Sequence, residues 1–218
     1  MRQFDFYEFT GILVPGAAAL AGVLILVPSV MPISAVKDFS VGGFGLFVVL
    51  AYVAGHLVQA VGNLLEWAWW KACGGLPTDW ARTAPTRLLA NTQASMLSKA
   101  IAEQLKLSGV DIRAATSPEW YSITRQINAA VEASGRASRI QTLNGNYGLN
   151  RGLAASLLVL LVVAVVIQSM HWVVDGGLIV AIGLALARMH RFGKHHAREL
   201  FVQFLQLPAR EQPSEKKA

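Results

Sequence analysis

The stretch AYVAGHLVQAVGNLLEWAWWK, residues 51–71, has the apolar character of a membrane helix and yet carries five polar side chains. An α-helix turns by about 100° per residue, so these five positions fall within about 80° of one another. An unpartnered polar group is costly in hydrocarbon. We therefore expect this polar stripe to face protein or water. It consists of Tyr52, His56, Gln59, Asn63 and Glu66.

The composition of the whole chain is that of a membrane protein. Of its 218 residues, 54% are hydrophobic and only 15% are charged, and the mean hydropathy is +0.44. An average soluble domain has about 25% charged residues. The excess lies in four apolar stretches, at about 9–31, 41–65, 153–170 and 172–189, each close to the roughly 20 residues that cross a bilayer. These stretches predict an all-α, polytopic fold with four transmembrane helices.

The distribution of lysine and arginine predicts the orientation. Of 19 basic residues, one lies near the amino terminus, ten lie between the second and third spans, and seven follow the fourth. Lys37 alone falls in the other two connections. Because basic segments stay on the cytoplasmic side, we expect a multi-pass protein of the bacterial inner membrane with both termini in the cytoplasm. The net charge of +6 then reflects the anionic inner leaflet, and no direct nucleic-acid binding is expected.

These patterns divide the chain into four segments. An amino-terminal membrane hairpin (1–71) precedes a cytosolic helical insertion (72–151), a carboxy-terminal membrane hairpin (152–190), and an amphipathic helix with a polar tail (191–218). In the insertion, one helix should begin at Pro85 and stop at Gly109, and another should begin with Ser117 as N-cap. The glycine- and asparagine-rich residues 144–152 predict a turn before the third span. Segments this small bury little surface, so the insertion should pack on the bundle, on its own copies or on a partner.

Gly135 leaves the length of the second cytosolic helix open, since glycine often ends a helix. If the helix continues, Arg125, Arg136 and Arg139 share a basic face. The segment after the fourth span also has two faces, which predicts a helix on the inner membrane surface. Its apolar face consists of Ala197, Leu200, Phe201, Phe204 and Leu205, and its basic residues are Arg188, Arg191, Lys194 and Arg198.

Small side chains in the first two spans predict close helix packing, because they let helix backbones approach each other. They are Gly11, Ala18, Gly22, Ala51, Gly55 and Gly62. Three tryptophans, Trp67, Trp69 and Trp70, follow the second span and predict the cytoplasmic membrane interface, where indole rings prefer to sit.

Catalytic and metal-binding motifs are missing from the sequence. It has no G-x-S-x-G, H-E-x-x-H, P-loop or dinucleotide fingerprint, and a lone cysteine, Cys73, excludes an internal disulfide and a multi-cysteine zinc site. His195 and Glu199 have a spacing that can hold a metal on a helix, but they stand among arginines and lysines. We predict no catalytic residue, no metal and no cofactor.

The polar stripe has two main interpretations. In the first, it joins neighbouring helices through hydrogen bonds, and Glu66 pairs with Lys71 or Arg151. In the second, it lines a hydrated path or a subunit interface that opens, and His56, near the middle of the span, can titrate near neutral pH. Lipid or small-ligand binding is a third. Because the other spans offer few strong donors, a second copy of the chain is the expected partner of the stripe.

In layout, the chain looks like the small multi-span membrane subunits of bacterial immunity (anti-phage) systems, which combine few spans, a compact cytosolic helical part and no catalytic signature. The resemblance implies a membrane effector or sensor that works with a cytosolic protein partner. Our leading hypothesis is a non-enzymatic homo-oligomer whose stripes form the subunit interface or a pore. The alternative is a membrane-embedded enzyme or lipid-binding protein with the stripe as its pocket.

The topology can be tested with a reporter that is active only in the periplasm. Fused after Ala218, it should be silent, because the basic residues hold the carboxyl terminus in the cytoplasm. Fused after Lys37, in one of the two connections predicted to lie outside, it should be active. Strong activity at Ala218 would contradict the predicted orientation.

Overall fold

The structure is a computed structural model that describes residues 8–29, 41–83, 87–107, 111–167 and 172–208. A π-helical turn (Glu8–Leu13) leads into α1 (Val14–Leu26), and α2 runs over Val41–Ala72. A short 3-10 turn (Asp79–Ala81) precedes α3 (Asn91–Leu105) and α4 (Ser117–Ala133). The last two helices are α5 (Ser138–Val166) and α6 (Trp172–Leu205). The first cytosolic helix is shorter than the predicted helix from Pro85 to Gly109, because α3 begins at Asn91 after the non-helical residues 87–90 and ends at Leu105. The hairpin around Met170 and the tail after Pro208 lie outside the described residues.

Four helical segments are long and apolar enough to cross a membrane, namely Glu8–Leu26, Val41–Ala72, Ser138–Val166 and Trp172–Leu205. They confirm the prediction of an all-helical chain with four candidate membrane spans. Large apolar side chains cover their outer faces, with Ile25, Leu57 and Leu184 each more than 60% exposed. Exposed apolar surface of this kind is compatible with contact to lipid.

The predicted turn at residues 144–152 is wrong, because these residues lie inside α5. The side chains of Asn146 and Asn150 donate hydrogen bonds to carbonyl groups one turn earlier on the same helix, Thr142 and Asn146 (3.0 and 2.7 Å). Gly152 lies against Pro15, and a Cβ atom there would come within 2.8 Å of the Pro15 Cβ. Packing therefore overrides the weak helix propensity of glycine and asparagine.

The chain divides into two compact units, and the first comprises residues 1–74 and 141–193. In it, α1 packs on α2 at backbone distance. A Cβ atom on Gly16 would collide with the Ala51 carbonyl and lie 2.7 Å from the Gly55 Cα. Among the other small residues, Gly11, Ala51 and Gly62 are buried, Ala18 is half-buried, and Gly22 faces Leu160 of α5.

The second unit comprises residues 75–140 and 194–218. The apolar face predicted for α4 is confirmed, since Trp120, Ile123, Ile127 and Val131 are all at most 5% exposed. The Trp120 ring stacks on Phe201 at 5.9 Å between centroids, and its Nε1 donates to the Thr78 carbonyl (3.1 Å).

The N-cap of α4 is Thr116, one residue before the predicted Ser117, which is instead the first residue of the helix. The Thr116 N–H and hydroxyl both donate to the Glu119 carboxylate (2.7 and 2.8 Å). These two hydrogen bonds stabilise the charged form and lower the pKa of Glu119. At its other end, α4 stops before Gly135, which has a φ of +76°, so Arg125, Arg136 and Arg139 do not share one helical face.

The separate amphipathic helix predicted after the fourth span is not present among the described residues. Residues 188–205 continue α6 without a break. Its predicted apolar face is covered by protein within the second unit, since Ala197, Leu200, Phe201 and Phe204 are at most 3% exposed. An amphipathic pattern shows that one face is buried and does not tell protein from lipid.

The close approach of α1 and α2 predicts opposite effects for two matched substitutions. Replacing glycine by alanine in a helix ordinarily stabilises it by about 0.5–1 kcal/mol. Gly16→Ala should instead destabilise the protein by about 1–3 kcal/mol, because the new methyl group overlaps the α2 backbone. Gly183→Ala, at a site with nothing within 4 Å of a Cβ atom, is the control. Unfolding of the full chain in detergent measures both, and equal midpoints would contradict the packing.

Candidate functional site

The structure splits the polar stripe of α2 into two parts with different surroundings. Gln59 is buried at 9% exposure and Glu66 is half-buried, and both point into the first unit. His56 and Asn63 are exposed. Tyr52 is half-buried and meets the His56 ring edge-on at 4.8 Å between centroids. The five residues therefore do not serve one common surface.

Arg151 of α5 is the centre of a polar network inside the first unit. Its Nη1 binds Oε2 of Glu66, and its Nη2 donates to Oε1 of Gln59 at 2.6 Å. The Gln59 Nε2 donates in turn to the Gly11 carbonyl. One arginine thereby joins α2 to α5 directly, and Gln59 extends the connection to the π-helical turn before α1.

Tyr147 of α5 closes the other side of the network. Its hydroxyl donates to Oε1 of Glu66 (2.6 Å) and accepts a hydrogen bond from Nε1 of Trp70 (2.7 Å). Both carboxylate oxygens of Glu66 therefore have a donor from α5. The two α5 residues lie four positions apart, and Glu66 and Trp70 have the same spacing on α2, so each pair occupies one helical face.

The fourth candidate span contacts the polar network through His190 of α6. The Trp70 ring stacks on His190 with centroids 5.0 Å apart, and Trp69 Nε1 donates to His190 Nδ1 at 3.2 Å. Because Nδ1 accepts this hydrogen bond, the proton of the neutral ring belongs on Nε2. Cys73 Sγ lies 3.9 Å from the same Nδ1. All four candidate spans thus contribute to one connected set of contacts.

Glu66 pairs with Arg151, one of the two partners that the sequence left open. Lys71, the other, lies over the Trp67 ring at 4.8 Å. Of the three tryptophans predicted at the membrane interface, only Trp67 is exposed (60%), whereas Trp70 is 3% exposed. The expectation that the other spans offer few strong donors is wrong for α5, because the helix that contains Tyr147 and Arg151 begins at Ser138. In the sequence, the four-residue spacing of Tyr147 and Arg151 indicated that both side chains could lie on one helical face.

Three of the other predicted residues, Arg136, Arg139 and Arg198, have protein partners. Arg198 Nε donates to the Leu88 carbonyl (3.1 Å) and Arg136 Nη1 to that of Gln206 (2.8 Å). Arg139 pairs with Glu199 at 3.4 Å. Within the described residues, no three His, Cys, Asp or Glu side chains group so that they could hold a metal ion. Contact of Arg188, Arg191, Lys194 and Arg198 with lipid stays a prediction.

The second unit contains an open cleft of about 470 Å³ beside the start of α4. The cleft is lined by two carboxylates, Asp111 and Glu119, and by two large apolar side chains, Leu107 and Ile123. The remaining lining residues are Ala114, Ala115, Ser122 and Gln126. The cleft suits a ligand that carries both positive charge and apolar groups.

Comparison of the chain with protein-family models, with curated proteins and with solved structures finds no match.

The central place of Arg151 predicts a large effect of its removal. Arg151→Met leaves Glu66 partly buried without its cation. Breaking a buried pair costs about 3–5 kcal/mol, and we expect about 3 kcal/mol because the two side chains keep 13% and 22% exposure. Unfolding in detergent measures this, with Arg188→Met on α6 as the exposed control. Combining Arg151→Met with Glu66→Gln should recover part of the loss, and strict additivity would contradict direct coupling.

Proposed function

We propose that the chain is a non-enzymatic, homo-oligomeric protein of the bacterial inner membrane, a membrane effector or sensor subunit that works with a cytosolic protein partner. Its four candidate spans cross the bilayer, and its second unit and both termini lie in the cytoplasm. The exposed apolar faces of the spans and the basic asymmetry of the sequence support this placement.

The polar network is the observation that carries the proposal. An intramembrane pocket of an enzyme or lipid-binding protein needs polar groups that are available to a ligand. Here Gln59 and Glu66 are already bound by Arg151 and Tyr147 of the same chain. The network therefore supports a bundle whose inner polar groups hold helices together, and it argues against a pocket built on Gln59 and Glu66.

The cytosolic partner would bind in the cleft of the second unit. Asp111 and Glu119 attract a basic group, and Leu107 offers apolar contact, so a basic, amphipathic segment of a partner protein fits this chemistry. The helix α6 supplies His190 to the first unit and residues 194–205 to the second. A partner that binds the second unit can thus act on the contacts of His190 through one helix.

In this proposal, the polar network keeps the spans together until the partner acts. A hydrogen-bonded ion pair is suited to such a role. Its contacts are either formed or broken, so a polar network switches between discrete arrangements and does not deform gradually. Exposed Arg188 and Arg191 at the cytoplasmic end of the fourth span would hold the protein at anionic lipid, at about 1 kcal/mol each. A role in bacterial defence stays a prediction, which the neighbouring genes can test.

Two measurements test this proposal, the mass of the assembled protein in detergent and the membrane potential in cells. Light scattering of the full chain in detergent should give a protein mass of at least two copies. A monomer with bound lipid would favour the lipid-binding alternative.

In cells, Tyr147→Phe should lower the membrane potential relative to the wild type, because it removes the hydroxyl that joins Glu66 to Trp70. Tyr121→Phe, exposed on α4, is the control, and an unchanged potential in both variants would contradict an effector role of the network.

A further inference from the structure

We propose that α2 pairs with α2 of a second copy of the chain through a defined face, and this inference rests on the membrane placement proposed above. The face, which we call the pairing seam, is a single line of exposed residues along the helix. It consists of Val49, Val53, His56, Ala60, Asn63 and Trp67.

The spacing of the seam is that of a coiled coil. Its positions follow one another at alternate steps of four and three residues, which is the repeat of helices that cross at about +20° in a left-handed pair. All six residues are exposed, with Val49, Val53 and Trp67 at 60%, 53% and 60%. The seam therefore points away from the inner face of α2, where Ala51 and Val58 are at most 4% exposed.

Two members of the seam are unsuited to lipid. The Asn63 side chain makes no hydrogen bond with any of the residues that the structure describes, and His56 meets Tyr52 only through an edge-on ring contact of 4.8 Å. Both sit on a helix that is otherwise apolar on this side, with Leu57 and Leu64 exposed at 68% and 64%. Since hydrocarbon offers no hydrogen bond, we expect these two side chains to contact protein and not lipid.

A second copy fits this requirement better than another protein. An asparagine amide is both donor and acceptor, so two Asn63 side chains can hydrogen-bond to each other across a two-fold axis. Copies inserted in the same orientation are related by an axis along the membrane normal, so their α2 helices run parallel and each residue meets its own counterpart. Asparagine at one seam position fixes register in parallel helix pairs, and the small Ala60 lets the backbones approach.

Disulfide trapping tests the seam directly, with the full chain in isolated membranes and Cys73→Ser to remove the native thiol. Ala60→Cys should form a disulfide-linked dimer on mild oxidation, because residue 60 faces its counterpart. Leu57→Cys, also exposed but off the seam, is the matched control. Equal trapping at both positions would overturn the proposal, as would no dimer at Ala60→Cys.

The polar contact has its own test, which also separates the seam from the wider proposal. By energy transfer between labelled copies in lipid, Asn63→Leu should raise the dimer Kd about tenfold, since one interhelical hydrogen bond contributes roughly threefold to twentyfold. Asn63→Gln should restore pairing, and Leu64→Val should leave it unchanged. An unchanged Kd in Asn63→Leu overturns the seam. If the wild type is also a monomer by mass, oligomerisation itself fails, whereas a multimer without seam contacts overturns only the seam.

Discussion

The ion pair between Arg151 and Glu66 is the interaction on which the rest of the first unit depends. Two charges within candidate membrane spans are stable only when the pair is close and its remaining polar atoms are satisfied. Gln59 and Tyr147 hydrogen-bond to the pair, one on each side. Each of them also reaches a further element, the turn before α1 or Trp70. The requirement to satisfy one ion pair thereby fixes how the helices of this unit contact one another.

The sequence was sufficient to predict the four candidate spans and the angular range of the stripe, because long apolar runs leave the backbone few alternatives to a helix. It was not sufficient to assign the partners of the stripe. Glycines and asparagines at 144–152 favour a turn in isolation, which placed Arg151 outside any helix. In the structure, Pro15 packs on Gly152 and both asparagines bond to their own helix. Tertiary contacts decided the outcome, and local propensity cannot report them.

A similar limit applies to the second unit. The apolar positions of α4 and of residues 197–204 were predicted correctly to be buried. The face at residues 197–204, however, was predicted to contact lipid. The stacking of Phe201 on Trp120 shows that protein covers that face. Periodicity reports which side of a helix avoids water, and the identity of the covering surface depends on residues far away in the chain.

The two parts of the stripe differ in direction by only about 60° on the helical wheel, yet they have different surroundings. Gln59 and Glu66 lie on the side that faces α5, where Arg151 donates hydrogen bonds to both. His56 and Asn63 lie beyond the edge of that contact and are exposed. A helix that carried only the inner pair could be a stable member of a bundle with an entirely apolar outside. The outer pair makes no hydrogen bond to the described part of that bundle and costs free energy in lipid, which the proposed pairing of two α2 helices would account for. In that proposal, the inner part of the stripe joins the helices of one chain, and the outer part joins two chains.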